Sequence, residues 1–371
     1  MVKKYLCKIN KKYYDIIKKN PHTIHFFCDI KNIKKFKDKN EEGYIYKRDF
    51  NKEDLIESNI KLEDIESLYY QNEVKEILDN NSKFLDYLDR RQRPTTSIHW
   101  GQLKLFLSTL QFLLYYAPRS EKVHVIYPGS ADGTNINILT RMFPQCYWYL
   151  VDPRPHYEGL YSNSKVVEIR AEYFTKDTAL EYKNRLRGKF ILLISDIRTE
   201  VTDESIHNDN LMQQEWVRII NPEYSQLKFR PPRTFKKYKY LDGIIYFQIY
   251  PASATTETRL VVKKDAKLID YDVEDYEGKC YYHNRVTRVS NYKHNIKHSK
   301  SYIDNCYDCV SFLLLLDRYV KKYKKVFERD KIKDSSIDYL IDFIISRLSN
   351  KNKLEEETKR IIDNLNFKKI K

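Results

Sequence analysis

Glycine is scarce in this chain, with eight among 371 residues. A turn that holds two of them therefore marks a place where the backbone must bend sharply or be approached closely. Long apolar runs are missing as well. The longest, Val310 to Leu316, falls far short of the roughly 20 residues that span a bilayer, so no membrane segment is expected. Met1-Val2-Lys3-Lys4-Tyr5 carries charge without a following apolar region of signal-peptide length, which argues against export and for a cytoplasmic, reducing compartment. The six cysteines (Cys7, Cys28, Cys146, Cys280, Cys306, Cys309) are scattered and make no disulfide framework. Cys306-Tyr307-Asp308-Cys309 is a lone CxxC with no second pair at finger spacing. It reads as ordinary buried thiols on a helix, and no metal site is expected. Repeats and low-complexity tracts are also lacking.

What is present is a globular composition, 42% hydrophobic and 32% charged, in a chain long enough for one or two domains. Lys and Arg total 67 against 52 Asp and Glu, a formal charge of +15. Such an excess favours polyanion partners through phosphate neutralisation and counterion release. An AT-rich coding sequence also produces abundant Lys, Asn, Ile and Tyr, so charge alone decides nothing.

Residues 1–80 form an N-terminal extension without a recognisable motif. From Trp100 the texture changes: Leu103, Phe106, Leu107, Leu110, Leu113 and Leu114 recur at helical spacing up to Pro118. Short apolar runs follow at Val123 to Tyr127, Tyr147 to Val151, Val166 to Ile169, Phe190 to Ser195, Ile244 to Tyr250 and Arg259 to Val262. Alternating with helical stretches, they predict a mostly parallel, Rossmann-like α/β sheet over 81–300. Residues 301–371 read as a helical, basic region. There the run Lys321-Lys322-Tyr323-Lys324-Lys325 either meets RNA phosphates or forms a solvated helix face.

The first strand runs into Pro128-Gly129-Ser130-Ala131-Asp132-Gly133-Thr134, with a helix behind it. Strand, glycine turn and helix N-terminus bring backbone amides against a nucleotide-like ligand. The turn is neither G-x-G-x-x-G nor a phosphate-binding loop ending in Gly-Lys-Ser/Thr, which disfavours dinucleotide and ATP. Asp152, at the end of the second strand about 20 residues on, is placed to accept from a ribose diol or to cap its own strand exit. Phe174, after the third, packs on adenine or in the core.

Polar residues then stand out beside apolar segments: Gly101-Gln102-Leu103-Lys104, Ser195-Asp196-Ile197-Arg198, Leu227-Lys228 and Thr256-Glu257-Thr258-Arg259. If two lysines and two carboxylates converge, a neighbouring cation and partial desolvation let one lysine lose its proton near neutral pH. Such a lysine acts as a general base toward a hydroxyl.

In this order the blocks resemble the poxvirus-type family of cap-specific mRNA 2′-O-methyltransferases that double as small regulatory subunits of poly(A) polymerase. The resemblance covers about residues 85 to 300. It rests on Gly101-Gln102-Leu103-Lys104-Leu105, Gly129-Ser130-Ala131-x-Gly133-Thr134, Leu192 to Arg198, Asn221-Pro222 with Leu227-Lys228-x-Arg230, Glu257-x-Arg259-Leu260 and Tyr276-Glu277-x-Lys279-x-Tyr281-Tyr282-x-Asn284. It implies a class I S-adenosyl-L-methionine-dependent methyltransferase fold and a Lys-Asp-Lys-Glu tetrad of Lys104, Asp196, Lys228 and Glu257, with Lys228 as the base. Cofactor contacts map to Gln102, Gly129, Gly133, Asp152, Arg154 and Phe174. Toward cap and RNA it implies Tyr87, Arg198, Arg230, Arg233 and Glu277, although Arg233 stands where a second stacking ring is expected and Phe235 would need a shift in register. Capped mRNA and a poly(A) polymerase catalytic subunit are the implied partners, in a host cytoplasm or virion. Two other readings stay open: an RNA-binding processivity subunit, and a 2′-O-methyltransferase of uncapped RNA.

Overall fold

The computed structural model describes residues 73–85, 100–252, 255–300, 303, 305–329 and 337–348, with short strands at 5–9, 43–47, 70–71 and 368–369. Tyr87 lies outside the described residues. In chain order the principal elements are β1 (Ile77–Leu78), α1 (Gly101–Tyr116), β2 (Val123–Pro128), α2 (Thr134–Met142), β3 (Cys146–Val151), β4 (Val166–Arg170), α3 (Lys176–Arg185), β5 (Phe190–Ser195), α4 (Asp203–Ile220) and β6 (Tyr224–Phe229). There follow β7 (Lys237–Leu241), β8 (Ile244–Tyr246), β9 (Thr258–Lys263), β10 (Leu268–Asp272), α5 (Val273–Arg285), α6 (Tyr307–Arg329) and α7 (Ile337–Leu348).

Eight strands form one sheet in the order β1-β8-β9-β6-β5-β2-β3-β4. The five from β6 to β4 are parallel, while β9, β8 and β1 add antiparallel at the other end. Every residue of β2 is buried, as expected of a parallel strand covered on both faces. Val123, Val125 and Tyr127 join one core with Leu103, Phe106 and Leu110 of α1, Leu139 of α2, Phe312 and Leu316 of α6 and Ile341 of α7. Ile126 joins the opposite core, built on Tyr182 of α3, Trp216 of α4 and Tyr276 of α5. This is the mostly parallel α/β architecture read from the sequence.

Three features differ from that reading. First, β6 was not among the expected strands. Ser225 and Gln226 are polar yet buried, with Gln226 Nε2 donating to Ser108 O at 2.8 Å, and they hide the apolar pattern. Second, the run from Ile244 ends as a strand at Tyr246. Tyr250 then takes a left-handed φ of 56°, and its carbonyl accepts from Trp100 N at the entry to α1. Third, Lys322 is turned inward to donate to the Leu114 carbonyl at the end of α1. Lys321 pairs with Asp317 at 2.6 Å. No helix among the described residues is long and apolar enough to cross a membrane.

From β2 the chain proceeds outward to β3 and β4, then crosses back to β5 and β6 on the other side. Between the C-terminal ends of β2 and β5 lies the topological switch point, where open α/β sheets hold their ligands. The glycine turn leaves β2 there, and Asp196 follows β5.

Candidate active site

Four segments deliver charge to the switch point. Lys104 lies in the first turn of α1, Asp196 immediately follows β5, Lys228 lies within β6 and Glu257 immediately precedes β9. Glu257 bridges the lysines, with Oε1 3.5 Å from Lys104 Nζ and Oε2 3.7 Å from Lys228 Nζ. Lys228 Nζ is also 3.4 Å from Asp196 Oδ1. A fifth charge completes the group. Arg259 is paired with Lys228 across the antiparallel β6 and β9 register, and its Nη1 is 2.7 Å from the same Asp196 oxygen. Like charges directly opposite on a sheet repel, and Asp196, touching both, offsets that repulsion.

All five side chains are between 4 and 18% exposed. Burial alone raises a carboxyl pKa, but here the cations outweigh it. Glu257 is held down to about 2 by Lys228, Lys104 and Arg259. Asp196 is held well below the usual carboxylate range by Arg259, Lys228 and Lys104. Burial pushes the Lys104 ammonium the other way, below its ordinary value, against a partial restoring pull from Glu257. Three cations facing two carboxylates leave one surplus positive charge, and loss of a proton from a lysine removes it.

The neighbouring loop is shaped for close approach. Gly129 has φ of 75°, and a Cβ there would stand 3.0 Å from the carbonyl carbon of Asp196, so only glycine lets the turn pass the end of β5. Gly133, with φ of 76°, caps α2. Asp152 is almost fully buried and organises the loop around itself: Oδ1 accepts from Arg154 N at 2.9 Å and Nε at 3.0 Å, while Oδ2 accepts from Ala131 N at 3.0 Å and Arg154 Nη2 at 2.9 Å. A ribose diol would compete for these lone pairs with Arg154, whose side chain is 67% exposed. Gln102 Oε1 is buried without a hydrogen-bond partner. Phe174 stands edge-on to Trp216 with centroids 4.8 Å apart and lines a cavity. That cavity, about 810 Å³, is walled by Gly129, Asp152, Arg154, Phe174, Asp196 and Lys228 together.

The residues expected to meet cap or RNA divide into ion pairs. Arg198 pairs with Asp209 at 3.3 Å and Arg230 with Asp203. Arg233 pairs with Glu277 at 2.8 Å, and Thr256, adjacent to Glu257, donates to the other Glu277 oxygen at 2.6 Å. A second cavity of about 680 Å³ holds Arg233 and Glu277 with Phe84 and Phe235. Phe235 lines it alongside Arg233.

The family model described as "Poly A polymerase regulatory subunit" matches residues 64–349. The chain belongs to that family. Within it, the chain is 30% identical over 209 residues to the cap-specific mRNA (nucleoside-2′-O-)-methyltransferase of Fowlpox virus (strain NVSL), covering 51% of this chain and 68% of that protein. Among solved structures it is similar to bluetongue virus VP4, titled a multifunctional RNA-capping production-line, with a TM-score of 0.39 and 16% identity over 62% of this chain and 40% of VP4.

In this regulatory-subunit family member, one charge of the cluster and one polar neighbour escaped site assignment from sequence. Arg259 had a signal, since it follows Glu257 at a spacing of two, which places both on one face of an extended segment. Gln248 had none, because it sits inside an apolar run. Its Nε2 donates to Glu257 O at 2.7 Å and to Oε1 at 3.3 Å, steadying the carboxylate.

Proposed function

We propose that this protein transfers a methyl group from S-adenosyl-L-methionine to the ribose 2′-hydroxyl of the first transcribed nucleotide of capped mRNA, converting cap-0 to cap-1. The observation that carries this reading is the single cavity that joins Gly129, Asp152 and Phe174 to Asp196 and Lys228. Lys228 is the base, because of the two lysines it is the one among the residues walling that cavity. It accepts the proton of the hydroxyl from a position fixed by Asp196 and Glu257. The sulfonium cofactor, when bound, supplies an electrophilic methyl group, so the protein needs alignment more than a strong acid. Gln102, Gly129, Gly133, Asp152, Arg154 and Phe174 would hold it. The orphaned Gln102 oxygen suits a donor on such a ligand, and a volume near 810 Å³ suits a nucleoside-sized one. The activity named for the fowlpox relative agrees with this assignment.

With radiolabelled cofactor, the purified chain is expected to methylate capped RNA that begins with a purine. Lys228→Ala should lower the rate by about 100-fold or more while cofactor affinity stays nearly unchanged. Activity retained in that variant overturns the base assignment, and equal activity on uncapped RNA moves the substrate to the uncapped class. The family description favours a second, compatible role as the regulatory partner of a poly(A) polymerase in host cytoplasm or virion, with the charge of +15 helping to hold RNA. Co-purification with such a polymerase tests it.

A further inference from the structure

A buried ion pair stands behind the tetrad. Arg288, in the single turn Thr287–Val289 after α5, is 0% exposed, and Asp308, at the start of α6, is 1% exposed. Arg288 donates to Asp308 Oδ2 from Nη2 at 2.8 Å and from Nε at 3.1 Å. Two desolvated charges gain little over apolar residues of the same shape, so stability alone does not account for the pair. Its remaining bonds do. Asp308 Oδ1 accepts from Tyr250 N at 2.9 Å, and Arg288 Nη2 donates to the next carbonyl, Pro251 O, at 3.0 Å. Tyr250 has the left-handed φ of 56° that a bulky residue adopts only where its surroundings impose it. Its own carbonyl accepts from Trp100 N at 3.2 Å, and Trp100 O accepts from Lys104 N at 2.9 Å in the first turn of α1. The same guanidinium reaches the approach to Glu257. Nη1 donates to Asn284 Oδ1 at 3.1 Å, Asn284 Nδ2 donates to Thr255 O at 2.6 Å, and Thr255 Oγ1 accepts from Glu257 N at 3.0 Å.

We propose that Arg288 and Asp308 are positioning residues of the methyl-transfer site: from one buried point they fix both the backbone that presents Lys104 and the backbone that presents Glu257. The proposal rests on the methyl-transfer reading above and adds the start of α6 to what that site requires. Five N–H donors in a rigid fork let Arg288 hold Asp308, Asn284 and Pro251 together. A lysine keeps the charge, but its single nitrogen cannot reach all three. Misplacing a group at the reacting centre by about 1 Å costs up to about 100-fold in rate.

In the full chain, Arg288→Lys is expected to lower kcat on capped RNA by about tenfold or more, with KM for RNA and cofactor within about threefold of wild type. Tyr319→Phe, which removes a buried hydrogen bond to Met142 O elsewhere on α6, is expected to leave kcat unchanged. An unchanged kcat in Arg288→Lys overturns the proposal, and so does an equal fall in both variants. Amide exchange gives a readout that needs no methyl transfer. The amides of Lys104, Tyr250 and Glu257 should exchange about tenfold faster or more in Arg288→Lys, while those of β3 keep their wild-type rates. Uniform acceleration, or none, overturns the proposal. Should the wild type lack methyl transfer, the proposed function fails and exchange alone decides the positioning role. Should Arg288→Lys fail to fold, Asn284→Leu replaces it in both measurements, with exchange read at the Glu257 amide. A rate and an exchange equal to wild type in that variant overturn the proposal.

Discussion

Lys104 and Lys228 carry the same group in different settings: Lys228 borders the cavity, and Lys104 lies behind Glu257. The rate of methyl transfer is therefore expected to rise with pH as the cluster sheds its surplus proton. Lys104→Met removes that surplus, so the rising limb of the pH–rate profile moves to higher pH. An unmoved limb in single-turnover profiles would contradict the charge argument. Stability titrates in the opposite range. Asp196 and Glu257 have folded pKa values below their ordinary ones, so the stability they confer is present above about pH 4.5 and is lost as pH falls toward about 2. Urea midpoints of the wild type and Glu257→Gln should converge as the pH is lowered from 6 toward 3, within that range.

At the scale of elements, α4 positions the tetrad through a buried polar side. Asp209, Asn210 and Gln213 are polar and fully buried along one side of this helix. Gln213 Nε2 donates to Lys228 O at 3.1 Å and Asn210 Nδ2 to Arg230 O at 3.0 Å, while Asp209 accepts from Thr199 N and Oγ1 at 3.0 and 2.7 Å. The row seats the end of β6 and the loop after β5. Gln213→Leu keeps the shape but leaves the Lys228 carbonyl unpaired, and should cost about 1–3 kcal/mol by chemical denaturation. It should lower kcat more than cofactor affinity; a stability loss with kcat unchanged would show α4 to be scaffold alone. The same buried polarity kept β6 from view in the sequence, since period-two apolar alternation is the strand signal and Ser225 and Gln226 break it. The strands β2, β3 and β5, by contrast, were legible because their apolar runs are nearly continuous.

The molecule as a whole draws its core from beyond the stretch 81–300. Ile77–Leu78 extends the sheet, and Phe312, Leu313 and Leu316 of α6 pack with Leu103, Phe106 and Leu110 of α1, the helix that carries Lys104. Phe312→Ala should accordingly destabilise the protein by about 3–5 kcal/mol in a urea melt. A chain ended at residue 300 should fail to fold cooperatively by circular dichroism; a cooperative transition would show that α6 and α7 are dispensable to the sheet.

Local sequence by itself determined four of the five parallel strands, the glycine turn and the leucine face of α1, because each is encoded by neighbours a few residues apart. It also supplied the four tetrad candidates, in segments up to 153 residues apart, as the span from Lys104 to Glu257 requires. Tertiary structure alone decided that Arg259 joins them, that Asp152 spends its lone pairs on Arg154 and Ala131, and that Arg233 rests on Glu277. Most of these contacts join separate parts of the chain, and a charge in a sequence does not name its partner until the fold brings the two within a few ångströms.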